Sequence, residues 1–424
     1  MTNERGVEPE NELLGEVEQE ASRVLPPPPG HPRFPLLDSM RALAAISVML
    51  VHVGIFTGGF APWYKQLFAQ LDIGVPFFFL LSGFLLYRPM LASRVTGLPK
   101  QKRSAYARNR FFRIMPAYWV VLTVAAIVPG FYGAFTDNWW VYYSLLQSFP
   151  IYTPEGACVV NQFDCGFPVA WSLGIEVLFY IALPFFAAGT AALASLFGKR
   201  HWVAVELSVL AVLTAVSLYI QRSVPLTDLH QILFYSPIGR GWWFALGMGL
   251  AVASVWAQLQ PREPRAVRWV GSHPNLWWLL GGALYVFTAI VLLDPTPTLA
   301  APVFIEQSRY LEVVVVFGII PLLLLLPAIF GHDRGGFVRS VLQHPALVWL
   351  GLISYGIFLW HFPVIRALDD IGAQDWLPSL MFPVFALLTF IGTVICAAAS
   401  FYLIERPLMR WSRRHKQSEP ATGD

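Results

Sequence analysis

Between residues 36 and 404 the sequence returns repeatedly to one pattern, a stretch of mostly apolar residues long enough to cross a bilayer. A hydrocarbon core ~30 Å thick demands roughly 20 residues of helix. Such stretches fall near 36–56, 72–90, 114–131, 169–190, 203–220, 240–258, 276–293, 310–330, 346–363 and 380–404. Composition agrees, because 56% of the chain is hydrophobic and only 13% is charged, against about 25% charged in soluble domains. No soluble interior holds that much apolar side chain. The expected fold is all-α, a polytopic transmembrane helical bundle of about ten spans.

Lys and Arg divide unevenly among the connections. With the N-terminus placed in the cytoplasm, the inner loops and the C-terminal tail hold twenty of them, and the outer loops hold four, Lys65, Arg222, Arg309 and Arg366. The positive-inside rule then puts both termini in the cytoplasm. Net charge is only +3, and basic loops in a membrane protein read as topology signal, with no nucleic acid as partner. Residues 1–34 are expected to form a disordered acidic tail, since low hydrophobicity and the run Pro26 to Pro29 cannot offset ordering entropy. The tail also lacks the basic start and short apolar run of a signal peptide. Three parts follow: this tail, a membrane domain over 35–410 and a basic, disordered tail over 411–424. The outer loop near 132–168 has no Lys or Arg and contains Cys158 and Cys165. In an oxidising compartment these two are expected to form a disulfide, with two unpaired thiols as the alternative. Cys396 lies in the last span and reads as packing. No Cys/His spacing suits a metal.

Ionisable groups inside spans cost a few kcal/mol each, so each one is a candidate for function. Arg41 and His52 lie eleven residues apart in the first span. At about 100° per residue they come within about 20° of sharing one helix face, separated by roughly 16 Å along the axis. Asp38, three residues before Arg41, is placed to pair with it. His52 can be a histidine that merely satisfies a neighbouring carbonyl, but its shared polar face with Arg41 favours proton transfer. Arg110 and Arg113, at i and i+3 between Phe111, Phe112 and Ile114, enter the interface on one face as two forked guanidiniums suited to phosphate or carboxylate. In WSLGIEVLFY, Trp171 to Tyr180, the residues Ser172, Glu176 and Tyr180 fall at i, i+4 and i+8 and form one polar stripe. A carboxylate there needs a partner or must be neutral. In SYGIFLWH, Ser354 and His361 share a face with Tyr355 adjacent. Trp and His at an outer boundary read first as interfacial residues. Glu405-Arg406-Pro407 reads as an ion pair closing a helix end.

Taken together, these segments resemble acyltransferase family 3, the bacterial integral-membrane O-acyltransferases, over about residues 35–410. The resemblance is carried by Arg41 with ten residues before His52, by FFFLLSGFLLYRP from Phe77 to Pro89, and by RFFRIMP from Arg110 to Pro116. WSLGIEVLFY, LGLISYGIFLWH from Leu350 to His361, and the terminal Glu405-Arg406-Pro407 complete it. Ser39 stands where the family commonly has Gly. The chain ends twenty residues after its last span and so resembles the stand-alone subgroup that has no C-terminal hydrolase-like domain.

The resemblance implies an enzyme of the cell membrane that moves an acyl group, acetyl or another short acyl, from cytoplasmic acyl-CoA to a hydroxyl of a carbohydrate-containing acceptor. The acceptor is a glycan, a glycolipid or a glycosylated metabolite. No bound cofactor is implied, acyl-CoA being a co-substrate. On this reading His52 is the general base, and Glu176 holds the acceptor or the imidazolium. Arg41, Arg110 and Arg113 bind the donor, while Asp38, Trp171, Ser172, Tyr180, Tyr355 and His361 support them. A covalent acyl-histidine is the variant mechanism. The competing class is a proton-coupled exporter, which also buries Arg, His and Glu. Against it, the sequence shows no inverted repeat.

Overall fold

The computed structural model describes residues 34, 36–57, 65–97, 102–131, 135–149, 167–222, 227–292, 307–330, 336–376 and 380–414. Cys158, Cys165, residues 1–33 and residues 415–424 lie outside the described residues, and 411–414 of the expected C-terminal tail are helical. The regular structure among the described residues is helical. In chain order the main helices are α1 (Leu36–Phe56), α2 (Gly74–Thr96), α3 (Arg103–Ile127), α4 (Trp171–Leu196), α5 (Trp202–Gln221) and α6 (Gly241–Gln258). They continue with α7 (Pro274–Phe287), α8 (Gln307–Phe330), α9 (Pro345–Leu352), α10 (Ser354–Asp370), α11 (Met381–Ser400) and α12 (Arg406–Arg414).

Among the described residues, eight helices are long and apolar enough to cross a membrane, and the bent pair α9–α10 is so only when its two halves are taken together. This is a multi-pass membrane fold. The expected count of about ten exceeds that number because of α6. It forms over the expected 240–258 but, at 18 residues rich in Gly and Trp, it falls outside the apolar set. The reason is packing. α6 lies mainly against α2, and its surface is matched to protein more than to lipid. A Cβ on Gly247 would sit 1.9 Å from the Leu80 carbonyl oxygen, and one on Gly83 2.4 Å from that of Phe244. Two glycines thus let two backbones touch, as small residues do between membrane helices. The ring of Phe244 stacks between those of Phe79 (4.7 Å) and Phe179 (3.9 Å).

Two further differences bear on the site. α3 begins at Arg103, eleven residues before the expected 114. Arg is a good helix former, so the helix extends past the lipid-compatible part that hydropathy detects, and Arg110 and Arg113 stand on its body. The expected ninth span, 346–363, is broken at Ile353, where α9 and α10 meet at 73°. There α9 lies tightly on α1, since a Cβ on Gly351 would meet the Asp38 carbonyl oxygen at 2.2 Å.

A buried polar knot ties α2, α4 and α5 together. Glu206 accepts from the Tyr87 hydroxyl and from the Arg94 guanidinium. Arg94 also donates to Thr190 Oγ1 at 3.0 Å, and Thr190 lies 3.1 Å from the Tyr87 hydroxyl. Buried charges persist when paired and hydrogen-bonded in this way.

Candidate active site

Helix α1 carries both ends of the site. At one end, His52 Nδ1 lies 2.8 Å from the Val48 carbonyl oxygen. A carbonyl can only accept, so Nδ1 carries the hydrogen and Nε2 keeps its lone pair. The ring of His361, from α10, is centred 5.1 Å away. His361 is fully buried, with Nδ1 3.2 Å from the Ile357 carbonyl oxygen and Nε2 without a partner among the described residues. This corrects its reading as an interfacial residue. The bend at Ile353 turns α10 into the bundle, so the face shared by Ser354 and His361 meets α1. The Phe362 ring stands edge-on to His52 at 5.6 Å, and Phe131 and Phe56 close around it at 5.6 and 5.7 Å. Two imidazoles with free Nε2 atoms thus lie against an aromatic wall.

At the other end, Arg41 and Asp38 make the expected i, i+3 pair at 3.7 Å. Arg113 lies within electrostatic reach of Asp38, Arg41, Arg110 and Glu405. The Arg110 guanidinium lies over the Tyr180 ring, 5.8 Å from its centre. Among the described residues neither Arg110 nor Arg113 forms an ion pair or a hydrogen bond, and both are partly exposed. Three guanidiniums gathered with only one loose ion pair among them are ready for an anion.

Glu176 sits on this arginine side, within electrostatic reach of Arg41 and Arg110. Its Oε1 accepts from the Tyr180 hydroxyl at 2.5 Å, as the i, i+4 stripe predicts, and from Ser82 of α2. Oε2 makes no hydrogen bond with the described residues and remains an acceptor for a ligand hydroxyl. The Tyr106 hydroxyl donates to the Tyr180 carbonyl at 3.1 Å, and that of Tyr355 to the Ile114 carbonyl at 2.8 Å. The latter bond pins the start of α10 beside Arg113.

The structure therefore brings together Asp38, Arg41, Arg110, Arg113, Glu176, Tyr180 and Tyr355, with His52 and His361 further along the same helices. It separates two expected members. The Ser172 hydroxyl bonds back to the Val169 carbonyl at 3.3 Å. Trp171 turns the other way, with its ring 5.4 Å from the guanidinium carbon of Arg240. Ser82 and Tyr106 join unannounced, and Glu405, read from the sequence as closing a helix end, joins them. Ser82 was visible as a lone hydroxyl in an apolar run. Glu405 is 3% exposed and takes a bond from Ser400 at 3.3 Å, while Arg406 lies over the Tyr402 ring at 5.5 Å.

A family model described as an acyltransferase domain matches residues 34–402. The chain is 27% identical over 404 residues to peptidoglycan O-acetyltransferase OatA of Listeria monocytogenes, covering 89% of this chain and 56% of that protein. It is 28% identical over 403 residues to the putative peptidoglycan O-acetyltransferase YrhL of Bacillus subtilis, covering 89% and 55%. It is 26% identical over 393 residues to nodulation protein 10 of Rhizobium leguminosarum, covering 88% and 92%. The chain thus spans about half the length of the first two. No solved structure matches.

Proposed function

The chain belongs to acyltransferase family 3, and from that premise we propose that it moves a short acyl group from acyl-CoA to a hydroxyl of a carbohydrate-containing acceptor. The observation that carries this reading is the pair of ends on α1. The guanidiniums of Arg110 and Arg113, unpaired among the described residues, gather beside the Asp38–Arg41 pair, and a histidine with no bond to its Nε2 among those residues stands roughly 16 Å further along the same helix face. Arginines hold the donor's phosphates, and the thioester reaches His52. The twenty-to-four bias of Lys and Arg supports a cytoplasmic N-terminus and an inner, basic donor face at the cell membrane.

In the step itself, the acceptor oxygen forms a bond to the thioester carbonyl carbon while His52 Nε2 takes the hydroxyl proton. The tetrahedral centre then collapses with cleavage of the carbon–sulfur bond. The proton returns from the imidazolium to the departing sulfur, leaving an ester and free CoA thiol. Glu176 lies with the arginines and so faces the donor, where its Oε2 accepts from a hydroxyl of the pantetheine arm; the acceptor at His52 is oriented by other groups. The relatives named as peptidoglycan O-acetyltransferases support acetyl as the acyl group and an envelope glycan as the acceptor.

Membranes carrying the protein, given radiolabelled acetyl-CoA, are expected to place label on glycan. In the same assay, Arg113→Lys keeps the charge and loses the fork, so KM for the donor should rise on the order of tenfold, the equivalent of one charge-assisted hydrogen bond. Wild-type membranes that transfer no label contradict the reading. An unchanged KM in Arg113→Lys would reduce that arginine to topology signal.

A further inference from the structure

From His52 onward, α1 and α10 run side by side toward the end of α1 away from Arg41, and their side chains form matched rungs. The first rung is His52 with Phe362, ring centres 5.6 Å apart. Four residues on, along both helices, stand Phe56 and Arg366, with the Arg366 guanidinium carbon 5.7 Å from the centre of the Phe56 ring. Phe56 also meets Phe362 at 5.7 Å, so the two rungs touch. The last turn of α10 then supplies two carboxylates. Asp369 Oδ2 accepts from Arg366 Nη1 at 3.3 Å, and Asp370 Oδ1 lies 3.7 Å from Arg366 Nη2. Ion pairs at i, i+3 and i, i+4 are common on helix surfaces. This one is set apart by its place, one turn from the reacting imidazole.

The second rung is open to a ligand, since the side chains of Arg366, Asp369 and Asp370 are 25, 21 and 45% exposed. Its charge is one guanidinium against two carboxylates, which repels the phosphates that the Arg41 end attracts. A guanidinium only donates and a carboxylate only accepts, and here both stand beside an aromatic ring. A sugar matches that set, with hydroxyls that donate and accept and C–H edges that suit the negative face of the ring. Spacing agrees as well. Four residues of helix advance about 6 Å, close to the length of one sugar unit in a glycan chain. Beside the first rung, the Nδ1 of His361 faces the Ile357 carbonyl, and its buried Nε2 has no partner among the described residues. A buried acceptor left unmade is costly, and a hydroxyl of the sugar at His52 would satisfy it.

We propose that Arg366, Asp369 and Asp370, with Phe56, form a subsite for the sugar next to the one that is acylated. The proposal rests on the acyl-transfer reading and narrows its acceptor to a hydroxyl-rich chain of at least two sugars. Asp369 and Asp370 accept from hydroxyls of the second sugar, and Arg366 donates to them. The acceptor is thus oriented from the far end of α1, while the donor is held at the near end.

The test uses the full-length chain in membranes with radiolabelled acetyl-CoA, and N-acetylglucosamine and its dimer as acceptors. The wild type should favour the dimer in kcat/KM. Asp369→Ala removes one charged acceptor at a partly exposed helix position that suits alanine. The subsite predicts that the dimer-to-monomer ratio of kcat/KM falls about tenfold or more, the scale of one hydrogen bond to a charged group, while KM for the donor holds. A carboxylate that only stabilises α10 predicts equal losses with both acceptors, so an unchanged ratio overturns the proposal. Calorimetry in lipid nanodiscs, with the dimer and no donor, separates this inference from the reading beneath it. If the wild type binds the dimer, Asp369→Ala binds it about tenfold less well, and no label is transferred, the subsite stands and the acyl-transfer reading falls. If label is transferred with no preference for the dimer, that reading stands and the subsite falls. If the wild type neither binds nor transfers, both fall.

Discussion

Replacing His52 by alanine is expected to lower turnover on the order of 10²–10⁴-fold, the usual range for a lost general base, with donor affinity little changed. The geometry explains the asymmetry. The Val48 carbonyl fixes the tautomer that leaves Nε2 basic, and the arginines proposed to hold the donor lie about three turns away. Arg41→Ala should show the opposite profile, weaker donor binding with a smaller fall in turnover, because its interaction is made in the ground state as well as in the transition state. Steady-state kinetics on folded variants separates the two. If His52→Ala turns over normally and only binds donor less well, His52 is a binding residue and not the base.

Glu206→Ala should cost about 3–5 kcal/mol, the range for removing one partner of a buried ion pair. A neutral hydrogen bond between membrane helices averages only about 0.6 kcal/mol. Glu206 is different because its side chain is 0% exposed and that of Arg94 only 19%. Its loss leaves a guanidinium without its counter-charge and also deprives the Tyr87 hydroxyl of an acceptor. Thermal unfolding in detergent measures this directly. Glu206→Gln keeps an acceptor for both donors and should lose less. If Glu206→Ala melts with the wild type, the knot across α2, α4 and α5 contributes nothing to stability.

The parts of this molecule legible in the sequence are those that face lipid or resist it. Apolar runs mark α1, α5 and α8 almost to the residue, because the bilayer core selects their length and apolarity. Arg41, His52, Arg110, Arg113 and Glu176 stand out because charge is costly there, and the structure gathers the arginines and Glu176. Features decided by partners far along the chain were not legible. The Gly83–Gly247 contact needs both helices in place before either glycine has a meaning. The break at Ile353 lacks a proline, so LGLISYGIFLWH reads as one continuous span, and with it His361 reads as interfacial. Ser172 matches the spacing of Glu176 and Tyr180, yet near the start of α4 a backbone carbonyl is closer than any side chain. Glu206, four residues into the expected fifth span, resembles a charge that reaches the interface, and only the approach of Arg94 and Tyr87 from α2 shows otherwise.

The most direct test of acyl transfer through this bundle uses sealed right-side-out vesicles. They are loaded with radiolabelled acetyl-CoA, and glycan acceptor is supplied only outside. The geometry predicts alkali-labile label on the external glycan with the wild-type chain and on the order of 10²-fold less or lower with His52→Ala. Label that reaches glycan only when donor and acceptor share one side, or equally well with His52→Ala, would contradict a donor bound at the inner arginines and an acceptor met at His52.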